Sequence, residues 1–163
     1  MVLIRVEMCT ISAHSQFGVV NNITEDNCTT MNAYLWQEGE VDRGANNICS
    51  CLLQDFKNRG FLKQHYGSLT IIADNCRGQN KNKHVVCFLM WMVEMVFFPK
   101  ITLFFLVKGH TKNACNQMFN LLKLSYHHKD IFTFHQLLKC VNENDFVSAH
   151  RIPPIEMKDF LKW

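Results

Sequence analysis

Apolar and polar positions along the chain fall into blocks that predict strands first and an alternation of strands and helices later. Residues 2–8 are a short apolar run with strand character. Residues 16–22 (QFGVVNN) and 31–37 (MNAYLWQ) are rich in β-formers. The polar turn cluster over 24–30 between them predicts a hairpin with a wide loop. Asp42 suits the N-cap of a helix over 43–58, where Ile48, Leu52 and Phe56 recur at i, i+4 and i+8 with Cys49 beside them. Gly60 ends that helix. Residues 69–73 (LTIIA) are an unbroken apolar run, expected of a central strand covered on both faces. Residues 84–98 read as an apolar helix closed by Pro99, and 101–107 (ITLFFLV) as a second fully buried strand. A helix over 113–126 puts Met118, Leu121, Leu122 and Ser125 or Tyr126 near one face. A further helix covers 132–141. After Phe146 come Pro153-Pro154 and an amphipathic fragment that reaches Trp163 as an unfinished element.

The order is three strands, then alternating helix and strand, then more helix. It predicts an α/β domain spanning 1–163, with a mixed sheet in which a three-strand meander is joined by parallel strands and helices cover both faces. That is the order of the ribonuclease-H-like fold. At 48% hydrophobic and 19% charged residues the chain is globular and not disordered. A net charge of +3 permits a nucleic-acid partner without arguing for one. The 8 cysteines do not pair into CxxC knuckles, and Cys49-x-Cys51 puts two thiols on different helix faces, so half-buried free thiols in a reducing compartment are expected. Two glycosylation sequons, at Asn22 and Asn27, matter only in a secreted protein, and residues 1–8 do not form a signal peptide. The most apolar window, 85–107, is interrupted by Glu94, Pro99 and Lys100 and is not a membrane span.

Candidate chemistry concentrates in residues 69–83. An apolar strand ends on Asp74, and a basic, glycine-containing loop follows before the next helix. Open α/β sheets bind ligands at the carboxyl ends of their strands, and a loop of this kind offers cations and backbone N–H groups to phosphate. The plainer alternative is a strand-to-helix turn with an acid near the helix start. Arg77, Lys81 and Lys83 bring three cations and no acid between 77 and 83, with Gln79 and Asn80 among them. They suit a nucleic-acid backbone or, equally, a solvated turn. Gly109-His110-Thr111-Lys112 follows the neighbouring strand, which brings His110 to the same edge in a parallel sheet. There it orders a water, touches phosphate or simply closes its turn. Two-metal phosphoryl transfer needs carboxylates from separate elements to hold two hard cations about 4 Å apart. Asp74 is one such group. The helix over 113–126 offers Asn113, Asn116 and Asn120 but no acid, and neutral Asn is a weaker Mg²⁺ ligand. Glu7 is the one acid of the first strand, read as an outward charge on an edge strand. His127-His128 reads as a surface pair at a helix end. Trp36, Trp91 and the Met90–Met92 stretch read as core.

Ala73-Asp74-Asn75-Cys76-x-Gly78-Gln79-Asn80-Lys81-Asn82, followed by Phe105-Leu106-Val107-x-Gly109-His110-Thr111-Lys112, resembles a family of eukaryotic transposon-derived domains of unknown function. Phe17-Gly18-Val19, Tyr34-Leu35-Trp36-x-Glu38-Gly39, Arg43-Gly44-Ala45-Asn46, Phe119-Asn120-Leu121-Leu122-Lys123 and the segment from Asp159 to Trp163 extend the resemblance from about residue 16 onward. It implies a DDE-type transposase or integrase core with a ribonuclease-H-like fold. Three acids of such a core hold two Mg²⁺ or Mn²⁺ ions for DNA strand cleavage and transfer. Asp74 matches the second acid and so the metal position. Asn116 stands where the third acid is expected. The first acid would lie in a strand upstream of Phe17-Gly18-Val19, and its motif has no match in residues 1–15.

The resulting expectation is a degenerate or partial transposase catalytic domain, truncated at its N-terminus, with truncation at its C-terminus also compatible, and with its cleavage activity reduced or lost. Its partner would be DNA, with no membrane; a homo-oligomer is compatible, and a functional copy would work in the nucleus. Asp74, Asn116 and His110 would form the remnant catalytic set. Arg77, Gln79, Asn80, Lys81, Lys83 and Lys112 would contact nucleic acid. The rival is a module that keeps the fold without enzymatic activity and binds nucleic acid or protein, Lys108 joining the basic residues. A third alternative is a functionless copy whose missing upstream strand leaves a sheet edge exposed.

Overall fold

The computed structural model describes residues 2–11, 14–21, 30–37, 44–63, 67–73, 75, 80–107 and 114–153; for 2–11, 14–17, 21 and 114–116 it describes the backbone alone. In chain order come β1 (Val2–Ile11), β2 (His14–Asn21), β3 (Thr30–Gln37), α1 (Ala45–Asn58), β4 (Leu69–Ala73), α2 (Lys83–Glu94), β5 (Ile101–Phe105), α3 (Ala114–Tyr126), α4 (Phe134–Val141) and β6 (Val147–Arg151). The strands form one sheet in the order β5-β4-β1-β2-β3-β6. β1, β2 and β3 are an antiparallel meander, with Val6 opposite Val19 and Gly18 opposite Ala33. β4 joins β1 in parallel, and β5 joins β4 in parallel. β2 alone therefore opposes the common strand direction. The meander and the parallel additions are those expected from the sequence.

Alternation along β3 divides the core. Tyr34 and Trp36 point to the face carrying α1 and α2, where they pack with Ile48, Cys49, Leu52, Phe56, Phe88, Met92 and Phe98. Met31, Ala33 and Leu35 point to the other face, against Met118, Phe119 and Leu122 of α3 and Leu137 and Val141 of α4. A period of two in the strand and 3.6 in the helices is what lets one strand serve two cores. The first core is ring-rich. Phe56 meets Phe98 edge-on at 5.6 Å, and Phe61 stands 6.0 Å from Phe56. Burying each such side chain contributes about 2–3 kcal/mol. Helices on both faces follow from this division.

Several expectations are corrected. The segment after Phe146, in which no strand is expected from sequence, forms β6. It is short, and its register sets Ala149 beside Ala33 and His150 beside Tyr34, in parallel with β3. β1 lies between β4 and β2, so Glu7 is on an interior strand, and a strand does lie upstream of Phe17 in the sheet. β5 is an edge strand, only half-buried, ending at Phe105, with Phe104 55% exposed. β4 buries Leu69, Ile71 and Ala73 on one face and covers Thr70 and Ile72 only partly. α1 starts at Ala45 with Gly44 in the N-cap position; Asp42 and Arg43 lie outside the described residues. α2 stops at Glu94, well before Pro99, and Val96 takes φ 60°. A β-branched residue there is strained and must be held by its surroundings, as Phe97 and Phe98 dock into the core on its C-terminal side. On α3 the inward face is Met118, Phe119 and Leu122, while Leu121 is exposed. Cys49, Cys51 and Cys140 are buried and Cys87 is exposed. The tail beyond Pro153, including Pro154 and Trp163, lies outside the described residues.

Candidate nucleic-acid interface

β4 ends at Ala73, level with Val6 of β1 and Phe105 of β5. The Ala73 carbonyl accepts a bond from Leu106 N at 2.9 Å, which ties the ends of the two parallel strands together. The segments after β4 and after β5 thus leave from one edge of the sheet, the edge reached by Glu7 one position beyond Val6 of β1. Asp74, Arg77, Gln79, His110 and Lys112 lie outside the described residues, as does Lys108 of the rival reading. Asn116 falls within the first turn of α3, where its backbone alone is described. The structure brings Asn80, Lys81 and Lys83 together at the start of α2.

Asn80 is buried and Asn75 half-buried, so this stretch turns an amide inward. Asn82 adopts an extended backbone, and its side-chain oxygen accepts from His84 N at 2.9 Å. That is N-cap geometry, satisfying one of the amides that have no helical partner. The first turn of α2 contains no acid. Lys81 and Lys83 are exposed on either side of the cap, and Lys81 Nζ sits 5.4 Å from the centroid of the Phe105 ring. Two cations beside a positive helix end repel that dipole, an arrangement relieved when an anion arrives. Neither α2 nor α3 has an acid in its first turn, and no group of three His, Cys, Asp or Glu able to hold a metal occurs among the described residues. Among these residues no helix is long and apolar enough to cross a membrane. His127 and His128 are exposed past the end of α3, their rings edge-on at 4.9 Å. Trp36 and Met92 are core, as expected, and Trp91 packs partly buried against it, but Met90 is 62% exposed.

A second polar cluster lies at β3, about 14 Å across the sheet from β4, three strand spacings away. The Asp55 carboxylate of α1 is fully buried. It accepts from Arg59 Nε at 2.6 Å, Asn32 Nδ2 at 2.7 Å and Tyr34 OH at 3.1 Å. Asn58 Nδ2 donates to the same Tyr34 oxygen at 3.4 Å. Burial, then the Asp55 charge, push the Tyr34 pKa far up, so its hydroxyl stays a donor. His150 of β6 stacks on Tyr34 with ring centroids 5.3 Å apart. Burial lowers the pKa of that imidazole, with Asp55 acting upward and Arg59 downward. The sequence reading missed this cluster. Its signal was an acid set in the apolar stripe between Leu52 and Phe56, with an arginine one turn on.

One family model, described as "Domain of unknown function (DUF7869)", matches residues 10–163. No curated protein matches the chain. Among solved structures the chain is similar to one in the cryo-EM structure of the simian T-cell lymphotropic virus intasome in complex with PP2A regulatory subunit B56 gamma. Identity is 9% and the TM-score 0.48, over 85% of this chain and 46% of that one, so the present chain spans less than half of its length. It is also similar to RNase H1 from the halophilic archaeon Halobacterium salinarum NRC-1, at 8% identity and TM-score 0.39, over 71% of this chain and 92% of that one.

Proposed function

We propose that this chain, a member of the family matched over residues 10–163, is a ribonuclease-H-like domain of transposase ancestry that still engages DNA but cuts it weakly or not at all. The observation that carries the reading is the α2 entrance. Lys81 and Lys83 flank a capped, acid-free helix start at the edge where the parallel strands β4 and β5 both end. Lysine ammonium groups bind phosphate as point charges, and helix-start amides add directed donors. The Phe105 ring beneath Lys81 holds its cation at the edge. Contacts of this kind position a duplex without reading its sequence. Arg77, Gln79 and Lys112 extend the same surface in this reading.

The ancestral Mg²⁺ or Mn²⁺ centre would have used Asp74, with His110 ordering a water nearby. The residues present fit such a centre poorly. Asn116 is a neutral amide where a carboxylate is needed, and a two-ion site depends on several negative oxygens. Cleavage through two metals is therefore not part of this reading, whereas phosphate binding needs no metal. In a cell such a domain would act in the nucleus.

A duplex-DNA binding titration at rising salt, paired with a plasmid-nicking assay in Mg²⁺ and Mn²⁺, tests both halves. Salt-dependent binding without nicking is the expected result. Binding left unchanged when Arg77, Lys81 and Lys83 are all replaced by Ala removes the interface. Robust metal-dependent nicking that disappears in Asp74→Ala refutes the loss of cleavage.

A further inference from the structure

Beyond the β4 edge, the open groove beside the Asp55 cluster has the makings of a binding site of its own. It has a volume of about 450 Å³ and is lined by Asn32, Asn58 and Arg59 with Ser148 and His150. Three elements build it: β3, the last turn of α1 and β6. Its wall exists because β6 pairs with β3 in a register that sets Ser148 beside Asn32 and His150 beside Tyr34.

The chemistry of the lining is donor-rich. Asp55 takes Nε of Arg59 and sits with no exposed surface, so it anchors the guanidinium from the interior side. Among the described residues no group bonds the terminal nitrogens of Arg59, and its side chain keeps 15% of its surface open. The Ser148 hydroxyl and the ring nitrogens of His150 likewise have no hydrogen bond to a described residue. A guanidinium pinned at Nε by a buried carboxylate loses little rotamer freedom on binding and presents its outer fork pre-oriented. The Asn58 side chain is committed to Tyr34 and Gln54, which leaves few acceptors to compete in the groove.

The geometry points to a phosphate-binding site in this groove, with the Arg59 fork as anchor and Ser148 and His150 as further donors. Donors arriving from two elements suit a tetrahedral group with several acceptor oxygens better than a planar carboxylate with two. The phosphate could belong to a small metabolite or to the end of a nucleic-acid strand. Both present the same oxygens, and the experiment separates them.

The test is backbone amide NMR on the folded chain, titrated with inorganic phosphate, with acetate, and with a short oligonucleotide carrying or lacking a 5′-phosphate. Phosphate should shift the resonances of Arg59, Ser148 and His150, and acetate should not. Arg59→Lys keeps the charge for Asp55 but loses the fork, and should weaken phosphate binding by about tenfold. Ser148→Ala, at an exposed strand position, should weaken it about threefold without unfolding risk. Lys81→Ala with Lys83→Ala should leave these shifts unchanged, which keeps this site separable from the DNA interface. A 5′-phosphate-dependent response of the same residues assigns a strand end. Response to inorganic phosphate but to neither oligonucleotide assigns a small molecule. Equal response to acetate, no response at these three residues, or an Arg59→Lys variant that binds as the parent does, overturns the proposal.

Discussion

Gly18 of β2 and Phe119 of α3 meet with no room for a Cβ: one built on Gly18 would lie 2.7 Å from Phe119 Cζ and 2.8 Å from Met31 Sδ. The missing side chain is what lets α3 lie down on the meander and bring Met118 and Leu122 into the second core. Gly18→Ala should force the ring and the thioether aside at about 1–3 kcal/mol, the usual range for overpacking. Urea unfolding followed by circular dichroism reads this directly, and Gly18→Ala with Phe119→Leu should recover part of the loss.

Asp55 should be among the most sensitive positions in the chain. Asp55→Ala leaves the Arg59 guanidinium, Asn32 Nδ2 and Tyr34 OH without their shared acceptor in a buried setting. Breaking a buried pair by deleting one partner costs about 3–5 kcal/mol. The expected outcome is a large drop in the denaturation midpoint. Asp55→Asn should cost less, because its amide oxygen still accepts.

His150 gives a pH signature. Its folded pKa is lowered, chiefly by burial, with Asp55 of α1, Arg59 just past the end of that helix and Tyr34 of β3 around it. The unfolded chain therefore binds this proton first. The stability tied to the neutral ring is present above the unfolded value of about 6.5 and is lost as pH falls through the folded pKa. Thermal or urea stability measured between pH 8 and pH 5 (a range bracketing about 6.5) should decline with acid. His150→Gln should show a shallower decline over the same range.

The lysines at the α2 entrance predict a salt dependence. Removing one cation that neutralises a phosphate should reduce the slope of log K against log salt by about one. Lys81→Ala with Lys83→Ala should thus lower it by about two units, with weakening that is uniform across DNA sequences. Fluorescence anisotropy over a salt series measures both.

The parts of the fold governed by local pattern are legible in the sequence. Ile48, Leu52 and Phe56 announce α1, and the run Leu69–Ala73 announces β4 as a strand beside others. The helix expected over 132–141 is α4, which the structure starts on a Thr133–Gln136 capping box. What escapes is set by long-range pairing. Val147–Arg151 alternates apolar and polar positions over only five residues, a short strand signal, and its place beside β3 is set by long-range register. β5 reads as a core strand because ITLFF carries no polar alternation, yet no described strand lies outside it. At the interface Lys81 and Lys83 are legible, since cations beside a helix start are a local signal. The Asp55 cluster is not, because its partners Asn32, Tyr34 and His150 come from distant strands.

The pairing of β6 with β3 also fixes an order of events. As the chain is synthesised, the outer side of β3 faces solvent until residues 147–151 have been made, although the rest of the meander is complete far earlier. During that interval the nascent domain carries two open strand edges, β5 and β3, and is at its most prone to pair with a neighbour. Pairing with β6, the last strand made among the described residues, replaces the eight-residue edge of β3 by a five-residue one, so slowing its arrival would be felt as aggregation during synthesis rather than as lost stability once the chain is folded.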